Sequence, residues 1–122
     1  MAEEIKGETT IEDEVIGAIA GVAAREIEGV ASLGKSSIRR TIAERVAGSP
    51  EQARGVDVEA GKKEAILDID VNIIYGFSIP KIVGEVRRKV ADRLEELAGL
   101  VAKEINITVV GIEFEEKPTR VE

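Results

Sequence analysis

Asp68, Asp70 and Asn72 stand in the D-x-D-x-N spacing that opens a calcium-binding loop. Oxygen ligands at alternate positions converge on a hard cation when the chain curls around it. The rest of that pattern is missing. The sixth position is Ile73, where the loop needs glycine for its sharp turn. The twelfth is Ile79, where it needs a bidentate glutamate. The intervening residues alternate apolar and polar, which is the period of a strand. On neighbouring strands Asp57 or Glu59 would join Asp68 and Asp70, as a weak cation site or, on the plainer reading, as a row of solvated carboxylates. No metal or other cofactor is expected, and no catalytic residue. Paired carboxylates hydrolyse glycosides only when they flank a pocket and one has a raised pKa, and nothing in the pattern predicts a pocket.

The absences narrow the chemistry further. The 122 residues contain no Cys and no His. Disulfides and thiolate metal sites are therefore excluded. So are serine–histidine and cysteine–histidine catalysis, since one member of each pair is missing. The formal net charge of −7 argues against general nucleic-acid binding, because phosphate affinity comes from clustered Lys and Arg. One cluster exists. Residues 34–54 form a basic segment in which Lys35, Arg39, Arg40 and Arg45 are the candidate docking residues for an anionic or acidic partner. A small nucleic-acid-binding module using 35–45 is the alternative reading. The longest weakly polar run, Val15–Ala24, is about ten residues, and spanning a bilayer takes roughly twenty. Direct membrane insertion is not expected. With an acidic start at Glu3 and Glu4 and no basic leader, the expected location is the cytoplasm.

The elements that would position these residues follow from periodicity. Ile11, Val15, Ile19, Val22, Ala23 and Ile27 make an apolar stripe at helical spacing. Thr10 is the expected N-cap and Gly29 the expected stop. On the same helix Gly17, Gly21 and Ala24 recur at i, i+4 and i+7. They form a smooth groove, suited to close packing within the fold or to self-association. VASL at 30–33 reads as a short strand. Ile38, Ile42 and Val46 are four apart, which predicts a short helix over 37–47. Val56 and Val58 alternate with Asp57 and Glu59, and the AGKKE turn leads into a longer strand. There Leu67, Ile69, Val71, Ile73 and Tyr75 face one side, and Asp68, Asp70 and Asn72 the other.

The clearest signal is the change of period at YGFSIP. Gly76 can take the positive φ of a strand-to-helix turn, Ser78 is a natural N-cap, and Pro80 falls in the first turn. Ile79, Ile82, Val83, Val86, Val90, Leu94 and Leu97 then line one helical face, and Gly99 ends it. A last strand starts at Ile105. Its phase slips, which predicts a bulge near Val110–Gly111. Residues 117–122 read as a tail. The sum is a single α+β domain over 1–122: two layers, with two main helices packed on one face of a mostly antiparallel three- or four-stranded sheet.

Three segments resemble the alkaline shock protein family, the envelope stress response proteins of Gram-positive bacteria. They are IEDEVIGAIAGVAAREIEGVASL at 11–33, GVDVEAGKKEAILDIDVNIIYGFSIPKIVGEVRRKVADRLEELAGL at 55–100, and INITVVGIEFE at 105–115. The first carries an I-A-G-x-A-x-x-E-x-x-G-V core. Together they cover about two thirds of the chain in family order. The resemblance implies a non-enzymatic cytoplasmic protein tied to cell-envelope or general stress. It also implies self-association into a homo-oligomer, a small membrane-anchored protein as partner, and no catalytic residue to carry over. The basic segment 34–54 falls where the family varies.

Overall fold

The computed structural model describes residues 5–35 and 54–115. The predicted helix at 37–47 and the tail at 117–122 lie outside the described residues. The order of elements is α1 (Asp13–Arg25), β1 (Val30–Leu33), β2 (Val56–Ala60), β3 (Glu64–Ile74), α2 (Ile79–Ala98) and β4 (Val101–Glu113). The α+β arrangement read from the sequence is the one observed.

β3 is the central strand, because it carries the longest alternating run. Its odd-numbered residues Ala65, Leu67, Ile69, Val71 and Ile73 are all buried. β2 pairs with it antiparallel, from Val56 opposite Ile69 to Ala60 opposite Ala65. β1 also pairs antiparallel, from Val30 opposite Ile73 to Leu33 opposite Val71. The two therefore run end to end along one edge of β3. On the other edge β4 lies parallel to β3, from Glu64 opposite Val101 to Ile74 opposite Glu113. A parallel neighbour needs a long crossover, and α2 is that crossover. β4 starts at Val101, four residues earlier than the alternation suggests, directly after the Gly99–Leu100 turn. Its register slips between the pairs Val71–Val109 and Asn72–Gly111, which places the predicted bulge at Val110.

The joint from β3 to α2 is built as its residues dictate. Gly76 has φ 108°. Ser78 is the N-cap, its hydroxyl accepting from the Lys81 amide at 3.4 Å. Gly99 closes the helix with φ 68°. Ile82, Val86, Val90 and Leu94 are buried, a narrower stripe than predicted, while Ile79 and Leu97 at the ends stay exposed.

α1 departs from its prediction. Its N-cap is Glu12, with no side-chain cap, so Thr10 lies outside the helix. It ends at Arg25, and Gly29 (φ 104°) instead serves the turn into β1. Its buried residues are Ile16, Gly17, Ala20, Gly21, Ala23 and Ala24, whereas Val15 and Val22 are exposed. The face toward the core is thus the small-residue face, one position on from the predicted stripe. Arg93 on α2 donates to Glu26 at the end of α1 at 2.9 Å, and Lys89 lies 3.8 Å from the same carboxylate.

Candidate functional site

The carboxylates meet on the open face of the sheet. Asp57 stands opposite Asp68, which stands opposite Asn106, and Asp70 stands opposite Thr108. Directly opposed like charges weaken a strand pair, and an amide relieves part of this. Asn106 Nδ2 donates to Asp68 Oδ1 at 3.1 Å and to Glu104 Oε2 at 2.9 Å. Among the described residues no three metal-ligating side chains are grouped to hold an ion. The carboxylate row is tied by its own amide neighbour.

Asn72 is covered where it stands on this face, opposite Ser32 on β1 and Gly111 on β4. It is buried, where the alternation places it with the exposed carboxylates. Its Nδ2 donates to the Gly34 carbonyl at 2.9 Å and to Ser32 Oγ at 3.0 Å. Ser32 Oγ donates in turn to Glu113 Oε2 at 2.9 Å. The chain of bonds ties β1, β3 and β4 together. Gly111 makes room for it, since a Cβ there would lie 2.5 Å from Asn72 Oδ1. An amide with two good partners can be buried at little net cost, which explains how Asn72 is buried on the polar face.

The basic segment departs from a defined point. The Gly34 amide donates to the Asp70 carbonyl at 2.8 Å, and the Asp70 amide donates to the Gly55 carbonyl at 2.9 Å. One residue of β3 thus holds both ends of the excursion. Gly34 and Gly55 have φ 85° and 82°, and a Cβ on Gly55 would meet the Gly34 nitrogen at 2.5 Å. Only glycine allows the two backbones to approach so closely. β1 and β2 are two halves of one interrupted edge strand, and residues 35–54 are an insertion at the break. Lys35 is exposed at its root. Arg39, Arg40 and Arg45 lie outside the described residues.

The second candidate group, Gly17, Gly21 and Ala24, is brought together on α1, and all three residues are buried in the single chain. α1 packs there between α2 and the β1–β2 edge.

A region that sequence reasoning missed lies where β3 and β4 end. Alternation places Tyr75 on the core side, but β3 stops at Ile74 and Tyr75 is exposed. Its ring stacks on Phe114, with centroids 5.2 Å apart and an interplanar angle of 27°. The signal was compositional. The chain has three aromatic residues, and among the described residues its core is built from Ile, Leu, Val and Ala alone.

The described residues form a two-layer α+β domain. The family of such domains is identifiable. The chain matches the ASP23 family, of cell envelope-related function, over residues 1–114. It is 34% identical over 116 residues to YqhY of Bacillus subtilis (strain 168), covering 95% of this chain and 84% of that protein. It is 26% identical over 117 residues to the stress response regulator gls24 homolog of Streptococcus pyogenes serotype M1, covering 96% of this chain and 65% of that protein. With YloU of Bacillus subtilis it shares 28% over 107 residues, 87% of this chain and 88% of the relative. No solved structure matches the chain. The chain belongs to the ASP23, or alkaline shock protein, family. Among the described residues no helix is long and apolar enough to cross a membrane.

Proposed function

We propose that the protein is a non-enzymatic member of the cell-envelope stress response, acting in the cytoplasm by protein–protein contact and self-association. The observation that carries this reading is the family match over residues 1–114. The streptococcal relative's role as a stress response regulator supports it. A small membrane-anchored protein is the partner that would bring such a chain to the envelope, with Lys35, Arg39, Arg40 and Arg45 as its docking residues. The nucleic-acid reading gains nothing from the open sheet face, where Asp57, Asp68 and Glu104 are exposed and would repel phosphate.

The test is genetic and physical. Cells lacking the protein should grow poorly under alkaline or wall-directed challenge, and the intact chain should restore growth. Unimpaired growth under every envelope challenge would overturn the stress role. Sedimentation velocity at rising concentration should show larger species; a concentration-independent monomer would overturn self-association.

A further inference from the structure

β4 is an edge of the sheet: among the described residues its strand partner is β3 alone. The direction of its free main-chain groups follows from the ladder. The Tyr75 amide donates to the Glu113 carbonyl and the Val101 amide to the Lys63 carbonyl, so β3 turns the main-chain groups of its odd-numbered residues toward β4. In a parallel ladder the slanted bonds of a residue go to the two residues flanking its partner. Leu67, Ile69 and Val71 stand opposite Ile105, Ile107 and Val109. Their bonds therefore fall on the residues between, and the amides and carbonyls of Ile105, Ile107 and Val109 point outward. One contact agrees: Arg87 Nε on α2 reaches round and donates to the Ile105 carbonyl at 3.1 Å.

Sheet edges are ordinarily blunted by charge, proline or interruption. The opposite edge is broken between β1 and β2, and β2 carries exposed Asp57 and Glu59. β4 has no such guard. From Ile105 to Ile112 it holds no charged residue and no proline. Ile107 and Val109 are only partly buried against the core, and Ile112 is 42% exposed. An uncharged aliphatic edge is a template for a further strand. The insertion at 35–54 leaves and returns beside Asp70, on the far side of β3 from β4. β4 itself is self-complementary. Register slips at either end leave Glu104–Val109 regular. A second copy of that stretch, antiparallel and centred on Ile107, sets Ile107 opposite Ile107 and Ile105 opposite Val109, outward groups meeting outward groups. Centres at Ile105 or Val109 run the pair into a slip. On the open face Asn106 then stands opposite Thr108, and Glu104 meets the bulge at Val110. No like charges are opposed, the arrangement a strand pair favours.

We propose that β4 of one copy pairs antiparallel with β4 of a second copy about Ile107, joining two sheets into one. This rests on the self-association reading above. The same surface serves both copies, so the contact closes at a dimer. Arg87 is compatible with it, because the Ile105 carbonyl oxygen has a second lone pair for the amide of the facing Val109.

Two experiments test it. Ile107→Pro removes an outward amide, which an edge strand tolerates. In sedimentation velocity the wild type should dimerise as concentration rises. The variant, its fold checked by circular dichroism, should dimerise about thirtyfold more weakly, since the symmetric pair loses two main-chain bonds. The second experiment does not depend on that variant folding. The chain has no Cys, so single cysteines report one contact each. Asn106 and Thr108 are exposed and would face each other as a pair not joined by main-chain bonds, where side chains come closest. Under mild oxidation, Asn106→Cys mixed with a tagged Thr108→Cys should give the disulfide-linked heterodimer at least about tenfold faster than either variant links to itself, because the like positions are diagonal neighbours about 7–8 Å apart, beyond easy disulfide reach. A wild type that stays monomeric overturns both this proposal and self-association, and leaves the edge to a strand of another protein. A wild type that assembles while the mixture links no faster than the single variants overturns this proposal alone. So does a folded Ile107→Pro that dimerises as tightly as the wild type.

Discussion

The two helices share one core, yet they bury opposite kinds of side chain. α2 turns Ile82, Val86, Val90 and Leu94 inward. α1 turns inward two glycines, three alanines and one isoleucine, and leaves Val15 and Val22 exposed. Their surroundings differ. α1 is wedged between α2, β1 and β2, while α2 packs on α1 and crosses toward β4. A helix held close on several sides has little room for branched side chains, because interiors pack as densely as crystals. Hydrophobic period ranks faces by apolar content. Burial also depends on how near the neighbours stand. For α1 the two criteria disagree by one residue, about 100° around the axis.

The comparison can be broken first at α2. Leu94 is completely buried, so Leu94→Ala should cost about 2–5 kcal/mol through lost transfer and a cavity. Urea unfolding followed by circular dichroism measures it. A cost below about 1 kcal/mol would mean that the α2 stripe is not the core it appears from burial. The next test is at α1. Ala20→Leu enlarges a side chain with no exposure at all. It should destabilise by about 1–3 kcal/mol through overpacking, measured in the same way. If it stabilises instead, α1 has room to spare, and close approach does not explain its small residues.

The same contrast shows how far the sequence was legible. From Leu67 to Gly99 each local signal agrees with the next: alternation, a positive-φ glycine, an N-cap serine, proline in the first turn, an i, i+4 stripe and a terminal glycine. Such agreement is readable because every element of it is local. The bulge at Val110 was readable for the same reason, as a slip of phase within one strand. What could not be read depends on third parties. That β4 lies parallel to β3, and that β1 and β2 share one edge, is decided by which strands meet, which no period records. Asn72 looks like its neighbours Asp68 and Asp70 until Ser32 and the Gly34 carbonyl come within reach of its amide. Tyr75 continues the odd-numbered alternation, but the strand ends one residue before it. Of the candidate site residues, Gly17, Gly21 and Ala24 were found as a group, while their burial depends on the elements packed around α1.

The smallest effect is the sharpest test of the contrast. Val15, Ile19 and Val22 are spaced as a helical face, and by period alone they belong to the core. Val15 and Val22 are 49% and 41% exposed. Replacing both with Ser should change stability by no more than about 0.5 kcal/mol, as for surface substitutions generally. The measurement is informative at two protein concentrations. A loss above about 1 kcal/mol at both would show that the face is covered within one chain, which would restore the face chosen by period. A loss that appears only at the higher concentration would show that a second copy covers it, because stability then depends on mass action. That result would make α1's valine face a surface of self-association. A null result at both leaves the small-residue face as the one α1 uses.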